Sequence, residues 1–455
     1  MEKRYSLNMT SGPFLKKILI FSVPLMLTGL LQLAYNTADV VVVGRFAGKE
    51  ALAAVGSTGS LINLLLNVFL GLSMGSGVMI ARHIGAGDEE RVQKSTHTAM
   101  LMSVICGFFV GALGFFLSKE LLILMKVPDD VLDHASLYLK IYFLGSPGML
   151  AYNFGASIVR ATGDTKRPLY ILFFSGIVNV VLNLVLVIFF HMGVSGVAIA
   201  TIVSQYISAI MIIKYLTVIP NSCRLHLKKL KIHKEELFPI LKLGLPAGIQ
   251  NSLFSVSNVI IQSTVNSFGS VAMAGIAAGS NFDSYVYTCT NAVAQTSMTF
   301  TSQNVGAKKY GNIPRVYSYC LVITVIIGLA MGGIGTLFAD TITGFFSTDP
   351  EVIRIGAARL TQIMPFYVFC SLMDVAASQL RGMGKSFGPM IVSLAGACGV
   401  RLAWIFLALP FNHTLTMLYW AYPISWAATF FAQFTSYFIT KAQMKKQLGI
   451  TFKEV

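Results

Sequence analysis

Charge is what this chain has least of. Only 12% of its 455 residues are Asp, Glu, Lys or Arg, whereas a soluble globular chain carries about 25%. The six cysteines show no spacing that would pair them or bind a metal, so neither a disulfide framework nor a zinc site is expected. Five of them fall in apolar stretches and read as small packing residues. There is no Walker-type glycine loop, no nucleophile elbow and no cluster of His, Cys and carboxylates. These absences exclude a recognisable enzyme and argue against ATP-driven transport by this chain alone. No cofactor is expected beyond a coupling ion.

What is present is apolar length. Hydrophobic residues make up 55% of the chain, and the mean hydropathy is +0.70. Twelve stretches are long enough to span a bilayer: 14–43, 52–81, 96–117, 131–159, 168–190, 194–219, 237–267, 273–302, 316–339, 352–380, 388–409 and 416–440. The pattern predicts an all-α polytopic membrane protein. Met1 to Ser11 is polar and the run after it is too long for a signal-peptide core, so no cleaved leader is expected.

The net charge of +15 could point to nucleic acid, but its distribution points to topology. With twelve spans both termini share a side. That side holds Lys3, Arg4, Lys16, Lys17, Arg82, Arg91, Lys94, Arg160, Lys166, Arg167, the linker bases Arg224, Lys228, Lys229, Lys231 and Lys234, then Lys308, Lys309, Arg315, Arg381, Lys385 and the tail lysines up to Lys453. The other side has Arg45, Lys49, Lys119, Lys126 and Arg354. The positive-inside rule places both termini in the cytoplasm, of a bacterial cell membrane in this reading. Membrane lipids are expected partners, anionic ones drawn by the basic side. Nucleic acid is not.

The chain is written twice. At an offset of 222, Pro24, Asn36 and Phe46 recur as Pro246, Asn258 and Phe268. At 221, Arg160, Gly163 and Pro168 recur as Arg381, Gly384 and Pro389. Such a constant offset marks a duplication. Six spans per copy give both copies one orientation, so two six-helix bundles related by a pseudo-twofold axis along the membrane normal are expected. The expected division is an N-lobe at 1–220, a basic linker at 221–236 and a C-lobe at 237–455.

Inside the spans lie three acids: Asp39, Asp283 and Asp374. An intramembrane carboxylate is costly, and a functional role is its default reading. Asp39 ends a stripe of Gln32, Asn36 and Asp39, and its repeat position is Ile261. Counting from helix ends at 1.5 Å per residue puts Asp39, Asn183 and Thr201 at a common depth of roughly 7–12 Å. Asn179 is one turn from Asn183 on the same face. One carboxylate, two amides and a hydroxyl form a hard-oxygen set for Na⁺, or a cage around a protonatable acid. The repeat positions Val400, Trp404 and Tyr422 offer no such set, so a cation site is expected in the first half only. Lys140, Lys214, Lys242 and Arg359 lie near span ends and are expected to snorkel. Arg401 sits deeper and needs a partner. Stripes at Asn251, Ser255, Asn258, Gln262 and Asn266, and at Asp283 or Ser284 followed by Thr288, Asn291 and Gln295, each lie on one helical face. Amides and hydroxyls in membrane helices commonly serve only to bond neighbouring helices. Pro24, ten residues into its helix, marks a bend or a hinge.

The segment YNTADVVVVGRFAGKEALAAVG resembles the first-helix signature of the MATE (multidrug and toxic compound extrusion) family. The segments NVVLNLVLVIFFHMGVSGVAIAT, QNVGAKKYGN and RATGDTKRP resemble further parts of it. The resemblance covers nearly the whole chain. It implies a two-lobed, twelve-helix antiporter in which inward H⁺ or Na⁺ drives export of lipophilic, often cationic, drugs. It implies a cation site at Asp39, Asn179, Asn183 and Thr201 and a bend at Pro24. Tyr35, Asn36, Asn258, Gln262, Asp283 and Asp374 would line the substrate path, in a protein acting as a monomer. Asn183 stands where proton-coupled members often carry a second Asp, and Phe254 stands where another branch has a carboxylate. The rival readings are a lipid-linked glycan flippase, an exporter of an endogenous metabolite and a non-transporting membrane protein. The flippase would need a basic cavity.

Overall fold

The computed structural model describes residues 7–125 and 127–449. Lys3, Arg4, Lys126 and Lys453 lie outside the described residues, as does the side chain of Lys49. Among the described residues every regular element is helical. The first half contains α1 (Phe14–Val42), α2 (Lys49–Ala86), α3 (Glu89–Leu124), α4 (Asp129–Leu144), α5 (Ser146–Ala161), α6 (Lys166–Leu184) and α7 (Gly193–Val218). The second contains α8 (Lys234–Asn266), α9 (Ser270–Gly306), α10 (Asn312–Leu337), the short α11 (Ala339–Gly344), α12 (Pro350–Ile363), α13 (Tyr367–Gly382), α14 (Phe387–Ser393), α15 (Arg401–Leu407) and α16 (Leu415–Leu448).

Each of the twelve expected spans falls on one helix or one interrupted helix, giving the twelve-helix, two-bundle membrane fold. The fourth span is broken at Gly145 and the tenth at 364–366, each beside a proline that cannot continue the backbone ladder. Several helices outrun their apolar stretches, because a helix stops at a cap rather than where hydropathy falls. The α2 helix ends on Gly87 at φ 71°, and α3 begins with the Asp88 carboxylate accepting from the Arg91 N–H at 3.0 Å. Among the described residues, eight segments are long and apolar enough to cross a membrane on those grounds alone. The α8 and α9 helices, which carry the polar stripes, are not among them. Phe108, Phe116, Phe173, Phe174, Ile326 and Leu329 point outward, as side chains facing lipid must.

The duplication is visible in the backbone. Gly48 and Gly269 have φ of 90° and 91°, and Gly163 and Gly384 have 98° and 93°. At the third such turn Gly87 is matched by Lys308, still left-handed at φ 57°. These turns recur at the offset of 221 read from the sequence.

The chain forms two compact units that do not follow the repeats. One holds 27–252 with Leu7 and Asn8; the other holds 9–26 and the chain from Leu253 on. Thus α1 passes from one unit to the other just past Pro24, and α8 does so six residues past Pro246. Within the first unit, α2 and the start of α8 meet through glycines. A Cβ on Gly71 would lie 2.3 Å from the Gly248 nitrogen, and one on Gly75 would lie 2.6 Å from the Ile240 oxygen. Two G-x-x-x-G pairs therefore let the backbones touch. Within the second unit, Phe21 packs edge-on against Phe300, with ring centroids 5.6 Å apart, and Ser22 bonds Thr296 at 2.9 Å. There Gln379 Oε1 accepts from Ser297 and Thr301 at 2.6 and 2.8 Å, interhelical glue of the expected kind.

The linker is docked on the first unit. Cys223 and Leu225 are buried. The His226 N–H donates to His97 Nε2 at 3.1 Å, and the His233 N–H to Thr98 at 3.0 Å. Glu236 is fully buried. It accepts from His83 Nε2 at 2.8 Å, Arg91 Nε at 2.8 Å and Ser95 Oγ at 2.7 Å. Burial alone would raise its pKa, but the bonds from His83, Ser95 and Arg91 prevail and hold it down at about 2. A carboxylate held below its ordinary value stabilises the fold fully above that ordinary value, and the contribution is lost as pH falls toward 2. Glu236→Ala should lower the thermal midpoint of purified protein by several degrees at pH 7. The gap to wild type should close as pH falls from 5 to 3, read by thermal unfolding in detergent. A pH-independent gap would place the effect in packing alone.

Candidate functional site

The first unit contains a cavity of about 420 Å³. Gln32, Tyr35, Asn36 and Asp39 line it from α1, Asn179 from α6, and Thr201, Ser204, Gln205 and Ser208 from α7. The α1 stripe faces inward because residues 32, 36 and 39 share a helical face. The four residues read as a cation set come together. The Asn183 Nδ2 donates to Asp39 Oδ1 and lies 3.4 Å from Asn179 Oδ1. Asn183 is fully buried and Asn179 is 5% exposed. Thr201 lines the same cavity, with its hydroxyl donating to the Val197 carbonyl at 3.0 Å.

Two π-turns frame this constellation. One, Val43–Ala47, starts four residues past Asp39; the other, Val185–Phe189, starts two residues past Asn183. Insertions of this kind re-aim side chains and gather at functional sites. In the described arrangement Asn183 offers its NH₂ to the carboxylate, while its own Oδ1 is buried and accepts nothing. That suits an ionised Asp39 held by an amide donor. Turning the amide over would present Oδ1 toward a cation beside the carboxylate, so the donor set fits Na⁺ after one side-chain flip. Among the described residues no group of three His, Cys or carboxylates could hold a metal.

The broader substrate list divides. Tyr35 and Asn36 line the cavity; Asn258, Gln262, Asp283 and Asp374 do not, and they belong to the second unit. Asp283 is paired: Arg359 NH1 and NH2 donate to its two oxygens at 3.2 and 2.5 Å. This corrects the reading of Arg359 as a snorkelling end residue. It is 3% exposed, because a carboxylate on the neighbouring helix neutralises it where it stands. Arg401 stacks on the Tyr422 ring at 4.5 Å and bonds Ser425 at 3.4 Å. The Tyr287 hydroxyl meets Asp374, which also faces Arg381. Gln262 bonds Asn266 at 3.0 Å, and Gln295 bonds Asn291 at 2.8 Å, so part of each stripe is bonded along its own helix.

Sequence reasoning missed the aromatic wall. Tyr138 and Tyr142, four apart on α4, line the cavity too, with Asn63, Tyr152 and Asn153. The signal was there for α7: Thr201, Ser204, Gln205 and Ser208 follow the i, i+3, i+4, i+7 pattern of one face. The Tyr35 ring packs against Gly176, leaving no room there for a Cβ, and its hydroxyl donates to the Phe173 carbonyl at 3.2 Å. Gly176→Ala should therefore drive Tyr35 from its seat and cost about 1–3 kcal/mol. In a Tyr35→Ala background the same change should cost almost nothing. Thermal unfolding of the four proteins reads this coupling, and additive losses would contradict the contact.

Helices of membrane length around a polar, acid-bearing cavity define a polytopic transport protein. The family model described as MatE matches the chain twice, over residues 24–185 and 246–407, which reproduces the internal offset. The chain belongs to the MATE family of transporters. It is 30% identical over 395 residues to "Probable multidrug resistance protein YpnP" of Bacillus subtilis (strain 168), covering 85% of this chain and 86% of that one. It is 28% identical to "Probable multidrug resistance protein YoeA" of the same organism, covering 90% of each. A crystal structure of MATE in the straight conformation superposes with a TM-score of 0.90 at 21% identity, over 96% of this chain and 98% of that one. That likeness supports the fold. Members of this family are transporters, so the chain is not an enzyme.

Proposed function

We propose that this protein is a cation-coupled antiporter that exports lipophilic, often cationic, drugs across the cell membrane of a bacterium, as a monomer with both termini in the cytoplasm. The single observation that carries the reading is the Asp39 carboxylate, bonded to Asn183 in the wall of a polar cavity with aromatic sides. The names of its relatives support the drug class, and the one-sided basic charge supports the orientation.

In this mechanism Asp39 exists in two states. Ionised, it attracts a cationic substrate into the cavity, where Tyr35, Tyr138 and Tyr142 offer apolar and cation–π surface. Protonated or loaded with Na⁺, it has lost its net charge and releases that substrate. Asn179, Asn183 and Thr201 supply the remaining ligands or hydrogen bonds. Pro24 is the hinge of this cycle, in keeping with the passage of α1 between compact units two residues further on. The cavity wall carries an acid and no base, which disfavours a lipid-linked pyrophosphate as cargo.

Ethidium efflux from drug-sensitive bacteria tests this, with and without Na⁺ and with and without a protonophore. Asp39→Asn should lower coupled efflux about tenfold or more, since it removes the one charged side chain among the described residues that line the cavity. Asn183→Leu should lower it roughly 10- to 100-fold, the worth of a hydrogen bond to a charged group. Full coupled efflux by Asp39→Asn would overturn the mechanism. Efflux that follows Na⁺ would assign the flipped-amide state; efflux that collapses with protonophore alone would assign the proton.

A further inference from the structure

A second crevice lies in the first unit, away from the polar cavity. It encloses about 370 Å³ between α6 and α7 and is lined by Arg167, Tyr170, Ile171, Met211, Lys214, Tyr215 and Val218. Arg167 is in the first turn of α6 and Lys214 in the last turns of α7, so both cations sit at the same end of the helix pair. The deeper wall is apolar. Tyr170 and Val218 are 60% and 63% exposed, at a level where a membrane protein meets the headgroup boundary.

One of the two basic groups is held in place by its neighbours. The Arg167 guanidinium stacks on the Tyr215 ring at 5.0 Å from its centroid. Asp164, the acid of this corner, is turned into the helix start. Its Oδ1 accepts from the Lys166 and Arg167 backbone N–H groups at 3.0 and 3.1 Å, and its Oδ2 from the Tyr215 hydroxyl at 3.3 Å. Asp164 therefore caps α6 and fixes the ring on which Arg167 rests. Among the described residues no carboxylate forms an ion pair with Lys214. Snorkelling explains why a lysine can sit near a helix end. It does not explain a second cation, stacked and buttressed, across an apolar crevice from it.

We propose that this crevice is a binding site for an anionic phospholipid of the adjoining leaflet. The phosphate sits between Arg167 and Lys214, and an acyl chain runs along Tyr170, Ile171, Met211 and Val218. The occupant follows from charge complementarity joined to an apolar floor. A free small anion would use the two cations and leave the floor uncovered, and a zwitterionic lipid would bring its own cation against Lys214. Basic pockets between membrane helices select anionic headgroups on the same grounds.

Native mass spectrometry of the full-length purified protein tests this, with phosphatidylglycerol and chain-matched phosphatidylcholine at equal concentration. Inorganic phosphate serves as the headgroup-only probe. The expected result is preferential retention of phosphatidylglycerol. It should weaken about fivefold in Lys214→Gln and roughly 25-fold in Arg167→Gln/Lys214→Gln, taking about fivefold per basic side chain at a membrane surface. Lys228→Gln/Lys229→Gln removes two exposed linker charges and should change nothing. Retention in the double variant within twofold of wild type overturns the site, as does equal retention of the two lipids. An equal loss in the linker control would reassign the effect to diffuse charge. Displacement of the lipid by millimolar phosphate would reassign the pair to a small anion. If the double variant fails to fold, Lys214→Gln, whose side chain is exposed, decides the matter alone.

Discussion

Hydrocarbon offers no partner for a hydrogen bond, and almost everything in this structure follows from that. Backbone groups close on themselves, so every regular element of the described chain is helical. Side-chain polarity is rationed, and much of it is matched within the protein. Gln379 takes two hydroxyls, Gln433 takes the Pro389 carbonyl at 2.8 Å, and Asp283 takes a guanidinium. Against this background Asp39 stands apart. Its described partner is an amide, not a cation, and it borders open space. A carboxylate whose partner is an amide, at the edge of a cavity, is available to chemistry.

Duplication supplied the frame and divergence supplied the function. The two copies keep the same left-handed turns, and even Lys308 adopts the conformation Gly87 adopts without penalty. Their interiors part company at corresponding positions. Where the first copy has Asp39, Asn183 and Thr201, the second has Ile261, Trp404 and Tyr422. The second copy places its charges elsewhere and largely neutralises them. Arg359 pairs with Asp283, and it and Arg401 flank Tyr422 at 5.9 and 4.5 Å. One half sets a half-buried carboxylate beside a cavity, while the other pairs its carboxylate with a buried guanidinium.

The fold was legible because bilayer thickness imposes a length and the repeat imposes a count. The four-residue constellation at Asp39 was legible because depth along a helix can be counted from its ends. The aromatic wall was not: Tyr138 and Tyr142 look like any other residues of an apolar span until the packing of α4 aims them inward. The role of Arg359 was misread for a related reason. Its nearness to a span end is a fact of sequence, but its partner Asp283 is 76 residues away, and nothing local joins them. The docked linker escaped notice because polar, basic sequence reads as solvated, whereas three donors around Glu236 bind it down.

The exchange of helix segments between the compact units sets an order on assembly. Unit one is complete once the ribosome has released residue 252, at little more than half of the chain. Unit two begins earlier and finishes later, since its first piece, residues 9–26, is synthesised long before the rest. Ser22 must wait 274 residues for Thr296, threaded in the membrane with its polar face unmatched. Neither repeat, made alone, contains all the pieces of either unit.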